Sequence, residues 1–325
     1  MPRDLTPRRI PPAASISKEA RAFLANEVDP APFLVRPSSS EEWIAIRHAM
    51  NPFRGNQAEH MMRTLPVTVK ETQIAGVTVR RITPHDQPAG KTAQIVLELH
   101  GGAYVLYDGL AGLTRALKFS AGSGYSVLAV DYRMPPEHPY PAALDDALSV
   151  YRAVLGDYDP SGVGVFGTSA GGNLAACLCL ELASRGLTQP QALVLNSPWT
   201  DMTPSGDSFS TLETIDPGLY TYHGVIEEAA KLYADGRDLS DPRLSPLNAQ
   251  LPARFPETLL VTGTRDLLLS DTARFHKKLR ASGQGSELLV YEGMWHAFSD
   301  VPEEDELYRD MTRFFEARLG ARATG

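Results

Sequence analysis

Residues 162–173 read Gly-Val-Gly-Val-Phe-Gly-Thr-Ser-Ala-Gly-Gly-Asn, with Gly167-Thr168-Ser169-Ala170-Gly171 at the centre. A β-type run carrying Val163, Val165 and Phe166 leads into a serine flanked by small residues, and a helix-forming run from Asn173 to Ser184 follows. In that context Gly-x-Ser-x-Gly is the pattern of a serine on a sharp strand-to-helix turn, its Oγ projecting past the end of the strand. Glycines at 167 and 171 carry no Cβ and let neighbouring backbone close on the turn. The chemistry this suits is attack on a carbonyl carbon, with the free N–H groups of the following helix turned toward the developing negative charge. A glycine-rich turn can also cradle a phosphate. This one has neither the lysine of a P-loop nor the Gly-x-Gly-x-x-Gly spacing of a dinucleotide site.

A serine hydroxyl needs a base, and the base needs an acid to orient it. Thr258 to Thr262 is a β-type run that ends in Gly263-Thr264-Arg265-Asp266; Ser286 to Tyr291 is another, ending in Glu292-Gly293-Met294-Trp295-His296. The resulting order Ser169…Asp266…His296 is that of an α/β-hydrolase triad. Asp271 is the rival acid, though it reads as a helix N-cap before Ala273. Upstream, the β-type run Gln94–Leu99 ends in His100-Gly101-Gly102-Ala103-Tyr104. Two glycines after a strand let consecutive N–H groups point into one space, so Gly101 and Gly102, with Ala170, are the candidate oxyanion donors. His100 stands on the wrong side of the nucleophile in chain order and reads as a brace for the loop.

These segments, together with Asp131-Tyr132-Arg133, Pro135-Pro136-Glu137-His138-Pro139-Tyr140-Pro141 and Ser197-Pro198-Trp199, resemble the hormone-sensitive-lipase-like bacterial esterases, in the branch with a Gly-Thr-Ser-Ala-Gly elbow. The resemblance runs from about Pro66 to Phe315. It implies an α/β-hydrolase fold and a carboxylesterase acting on short acyl chains without a cofactor. It also implies a small-molecule ester as partner. One departure stands out: the family's loop commonly reads His-Gly-Gly-Gly, and here Ala103 takes the third glycine's place. Tyr104 is then expected beside the acyl pocket, with Trp199 and Leu267 as further substrate-contacting residues. The same triad chemistry serves a lactone, an amide or a carbamate, because the pocket decides. A non-catalytic ligand receptor is the remote alternative, and the presence of His296 speaks against it.

Eight strand candidates stand at 66–74, 77–83, 93–99, 126–131, 162–167, 192–197, 258–263 and 286–291. Helical runs separate most of them after the third, which predicts a mostly parallel eight-stranded sheet with helices on both faces. Ala142 to Leu155 reads as one such helix, and its Asp145 and Asp146 read as solvated or bracing. Residues 1–65, with helical runs at Lys18–Val28 and Glu41–Met50, are expected to form part of a helical cap. Residues 66–199 form the first part of the hydrolase core. Residues 200–250, with a helical run near Tyr222–Tyr233, form a cap insertion, and 251–325 complete the core. Trp43, Met61, Met62, Leu219, Tyr220 and Tyr222 are candidates to line the cap, each weighed against simple packing.

The 325 residues suffice for one large core with an insertion. A net charge of −8 argues against a nucleic-acid surface. No apolar stretch approaches the ~20 residues of a membrane span, and Met1-Pro2-Arg3-Asp4-Leu5-Thr6 lacks the apolar core of a signal peptide, so a cytoplasmic location is expected. The cysteines, Cys177 and Cys179, lie two apart on a predicted helix, face different ways and read as buried packing. No His/Cys cluster has metal-ligand spacing, so no metal is expected. A homodimer is compatible with the sequence.

Overall fold

The computed structural model describes residues 9–320; the opening run Met1–Thr6 lies outside them. The first half of the chain forms α1 (Lys18–Leu24), α2 (Ala31–Leu34), α3 (Ser40–Thr64), β1 (Val67–Ile74), β2 (Val77–Pro84), β3 (Ile95–Leu99), α4 (Thr114–Ser123), β4 (Val127–Asp131) and α5 (Ala142–Val154). The second half forms β5 (Val163–Thr168), α6 (Ala170–Ser184), β6 (Ala192–Asn196), α7 (Ser208–Thr211), α8 (Val225–Ala234), β7 (Glu257–Gly263), α9 (Leu269–Ala281), β8 (Ser286–Tyr291) and α10 (Pro302–Glu316).

The strands join in one sheet of order β1-β2-β4-β3-β5-β6-β7-β8. Only β2 runs against the rest, pairing antiparallel with β1 and β4. The central parallel strands β3, β5 and β6 are buried on both faces, which is why they read as near-continuous apolar runs. On one face Leu97, Leu144, Leu174 and Phe275 belong to a core shared with α5, α6 and α9. On the other, Val96, Leu117, Phe119 and Phe315 pack with α4 and α10. The chain steps from β3 outward to β4 and then returns past β3 to β5. Ligands in open α/β sheets bind at such a switch point, beyond the carboxyl ends of the strands.

Two further layers stand at that end. The N-terminal helices are pinned at several places. The Ser17 backbone N–H and hydroxyl donate to Glu303 at 2.7 and 2.9 Å. The Phe23 ring stacks on Trp295 with centroids 4.3 Å apart, and Arg36 pairs with Glu227 and Glu228 of α8 at 3.0 and 2.6 Å. Helix α3 begins at a capping box made by Ser39 and Glu42. It then runs on through Pro52 to Thr64, well past the Met50 expected as its end. Among the described residues no helix is long and apolar enough to cross a membrane.

Candidate active site

Register carries the candidate residues to one place. Leu99 of β3 pairs with Gly167 of β5, so the loop after His100 lies beside Ser169. Thr168 pairs with Asn196, Asn196 with Val261, and Gly263 with Tyr291, which stacks the loops after β5, β6, β7 and β8 in a row. Ser169 sits at φ 59° and ψ −120°, in left-handed territory that costs a non-glycine residue about 1–3 kcal/mol. Its surroundings enforce the angle. Its N–H donates to the Asn196 carbonyl at 2.9 Å, and its carbonyl accepts from Trp199 and Asn173 at 3.2 and 3.0 Å. Gly171 is obligatory, since a Cβ there would stand 1.9 Å from the Leu99 carbonyl oxygen.

Ser169 Oγ lies 2.9 Å from His296 Nε2, and His296 Nδ1 lies 3.0 Å from Asp266 Oδ1. Asp266 is wholly buried. It also accepts from the Leu268 N–H at 2.9 Å and the Thr262 hydroxyl at 2.8 Å. Burial favours its neutral acid, but the His296 imidazole and the hydrogen bonds it accepts outweigh burial and hold the carboxyl below the usual carboxylate range. Asp271, the rival acid, lies in the first turn of α9, and Leu268 rather than Asp271 is the N-cap residue. Its carboxylate accepts from the Asp201 N–H at 2.9 Å, and the His296 ring has Asp266 as its partner instead.

The loop after β3 bends back on itself, with Gly102 carbonyl accepting from Val105 and Leu106, each at 2.9 Å. Gly102 has φ 109°, and Ala103 adopts φ 53°, a left-handed value that favours glycine. Among the described residues the N–H groups of Gly101 and Gly102 donate to no protein group. Ala170 opens α6, so its N–H precedes the intrahelical ladder. His100 bonds Gly101 carbonyl through Nδ1 at 2.8 Å and stacks on Tyr132 at 4.2 Å. Burial pushes its pKa down, which favours the neutral ring.

A cavity of about 730 Å³ opens on Ser169, His296, Gly101 and Gly102. Its walls come from α1 (Phe23), α3 (Met50, Phe53), the 200–250 insertion (Leu219, Ile226) and the strand ends (Trp199, Leu268). Glu98 and His100 form a polar end, Glu98 almost wholly buried. Trp199 lines the cavity. Tyr104 does not. The positive φ of Ala103 and of Tyr104 itself (65°) accompanies a ring turned into the core. There its hydroxyl donates to Asn173 Oδ1 at 2.7 Å and its ring stacks on Tyr233 at 3.7 Å. The expected place of Tyr104 beside the acyl pocket is therefore corrected. Leu267 is also wholly buried, and its neighbour Leu268 is the cavity-lining residue. Of the six cap candidates Leu219 lines the cavity, whereas Trp43, Met61 and Tyr222 are buried in packing.

Sequence reasoning missed Asp216. It lies in the insertion, wholly buried. Its carboxylate accepts from Leu267 N–H at 2.7 Å, Gly218 N–H at 2.8 Å, Leu219 N–H at 3.3 Å and His296 N–H at 3.3 Å. The only local signal was Asp216-Pro217-Gly218, an ordinary turn sequence. Ser197, at φ 46°, was missed too, and its Oγ accepts from Ala297 N–H at 3.1 Å.

A hydroxyl bonded to an imidazole, whose other nitrogen meets a buried carboxylate, can surrender its proton as it attacks an electrophilic carbon. The wider comparison agrees with the fold. A family model described as the alpha/beta hydrolase fold matches residues 96–300. An esterase of Acinetobacter venetianus is 31% identical over 255 residues, covering 76% of this chain and 82% of its own. The crystal structure of an esterase E25 superposes with a TM-score of 0.94 at 36% identity, covering 98% of this chain and 99% of that one. A crystal structure of an esterase from the bacterial hormone-sensitive lipase family gives 0.78 at 28% identity, over 88% and 94%. The chain belongs to the α/β-hydrolase fold family, within the hormone-sensitive-lipase-like esterases.

Proposed function

We propose that this chain is a serine carboxylesterase that cleaves small esters through an acyl-enzyme. The observation that carries the reading is the Ser169–His296–Asp266 relay, with links of 2.9 and 3.0 Å, on the wall of a largely apolar cavity. Ser169 Oγ attacks the acyl carbon as its proton passes to His296 Nε2. Gly101, Gly102 and Ala170 N–H groups receive the charge on the carbonyl oxygen. The tetrahedral intermediate collapses, and the imidazolium gives its proton to the departing alkoxide. Water then attacks the acyl-enzyme, its proton going to His296, and the carboxylic acid leaves as Ser169 regains its hydrogen. Asp266 fixes the imidazole tautomer and stays ionised throughout.

The N-terminal helices and the 200–250 insertion act as a cap, a role supported by their shared walling of the cavity. Short acyl chains fit best on this reading, because Trp199, Ile226 and Leu268 are buried side chains held by the core. The test is hydrolysis of aryl esters from acetate to dodecanoate, with a lactone, an amide and a carbamate beside them, by the wild-type chain and Ser169→Ala. The expected result is kcat/KM peaking at a few acyl carbons and a loss of about 10⁶ in kcat for the variant. Near wild-type turnover by Ser169→Ala, or a preference for the amide or carbamate, would overturn the reading.

A further inference from the structure

The Asp216 carboxylate touches neither the cavity nor the serine, yet three segments meet on it. Its Oδ2 takes the N–H of Leu267, the residue after the proposed acid. Its Oδ1 takes the N–H of His296 itself and those of Gly218 and Leu219 in its own turn. We infer that Asp216 is a positioning residue for the reaction, a carboxylate of the insertion that holds the acid loop and the histidine loop at a fixed separation. The inference rests on the esterase reading of Ser169, His296 and Asp266.

Chemistry supports this on three counts. An ionised carboxylate is acceptor-only, so both its oxygens can face four backbone N–H groups without conflict. Such charge-assisted bonds are among the stronger and more directional ones in a buried site. Two of the four donors belong to Leu267 and His296, so a shift of Asp216 moves both partners of the 3.0 Å acid–imidazole link. Leu219, held by the same carboxylate, lines the cavity, which joins the cap region to the machinery of proton transfer.

The charged and titratable groups facing Asp216 are Asp266 and His296. Burial, and after it the Asp266 charge, push Asp216 up to about 6, while His296 and the N–H groups of Leu267 and Gly218 pull it down. When Asp216 takes a proton, one of its oxygens becomes a donor aimed at donors, and the arrangement loosens. Protonation of Asp216 should therefore lower activity.

The experiment compares wild type, Asp216→Asn and Asp216→Ala on p-nitrophenyl butyrate from pH 4.5 to 9. Folding is checked by circular dichroism and active sites are counted with an organophosphate. In wild type, kcat/KM should fall around pH 6 as Asp216 takes a proton. Asp216→Asn places an amide N–H₂ against backbone N–H groups and removes this ionisation. Its kcat per folded molecule should drop roughly ten- to a hundredfold with KM within about threefold, the range for misplacing catalytic groups, and its acid limb should be shallower than that of wild type. A variant that melts earlier but keeps wild-type kcat would show a purely structural residue and overturn the inference. So would a wild-type kcat/KM that stays level through pH 6, an outcome that needs no variant to fold. Wild-type protein that hydrolyses no ester would instead sink the esterase reading on which the inference stands.

Discussion

Two buried aspartates lie near the start of α9, and the hydrogen bonds favour one of them as the proposed acid. Asp266 meets the imidazole at 3.0 Å, while Asp271 takes the backbone N–H of Asp201. Asp266→Asn should cost on the order of 10⁴ in kcat by favouring the wrong tautomer. Asp271→Asn should leave kcat near wild type and lower stability instead, read as a fall in Tm. An inactive Asp271→Asn with an active Asp266→Asn would reverse the assignment. Tyr104 carries the second prediction at this scale. Tyr104→Phe removes the bond to Asn173 and should destabilise the chain by about 1–3 kcal/mol, the cost of leaving a buried acceptor short of a donor. Because the ring lies in the core, the acyl-chain profile should stay unchanged, and a shift of its peak would put Tyr104 back at the pocket. Sequence could place Tyr104 next to the Gly101-Gly102 loop. It could not say that two consecutive positive φ angles would accompany an inward ring.

At the scale of elements, the strands were the legible part. All eight appear within a few residues of where apolar runs and turn residues put them, and for the central parallel strands this follows from cover on both faces, which needs such runs. Helix α3 was half read, since Pro52 and Gly55 look like breakers and helix packing overrode them. The serine, acid and base proposed here could be picked out because each stands just beyond a strand end, where chain order discriminates. Asp216 was illegible because its partners lie at 218, 219, 267 and 296, and only the folded chain brings them together. Helix α1 offers a test of how much the N-terminal layer matters to the site. Its Phe23 stacks on Trp295, the neighbour of His296, and also lines the cavity. Phe23→Ala should raise KM several-fold while changing kcat less, the pattern of lost uniform binding. Steady-state kinetics on p-nitrophenyl butyrate will show it, and an unchanged KM would detach α1 from substrate binding.

Across the whole molecule, Glu98 links stability to pH. Its carboxyl oxygens find no hydrogen-bond partner among the described residues. Burial, opposed by Arg115, pushes it up to about 8 from an ordinary 4.5. The folded chain therefore binds one more proton than the unfolded chain between those values. The stability from the neutral Glu98 acid is full below about pH 4.5 and is lost as pH rises toward about 8. Glu98→Gln, which cannot ionise, should gain on the order of a few kcal/mol relative to wild type at pH 9 compared with pH 5. Urea denaturation at the two pH values measures it, and parallel wild-type and variant curves would contradict it.

The contact between Ser17 and Glu303 spans 286 positions, and it has a kinetic side. The N-terminal helices, which precede the sheet in the chain, make this contact only after α10, which follows the sheet, has emerged from the ribosome. Contacts of such sequence separation carry a large loop-closure cost and form late. The central sheet can therefore assemble while the cavity still lacks a wall. Refolding from urea should show it as a lag: far-UV circular dichroism recovers first, and turnover of p-nitrophenyl butyrate returns in a slower phase. Simultaneous recovery of the two signals would mean that the N-terminal helices dock as early as the sheet forms.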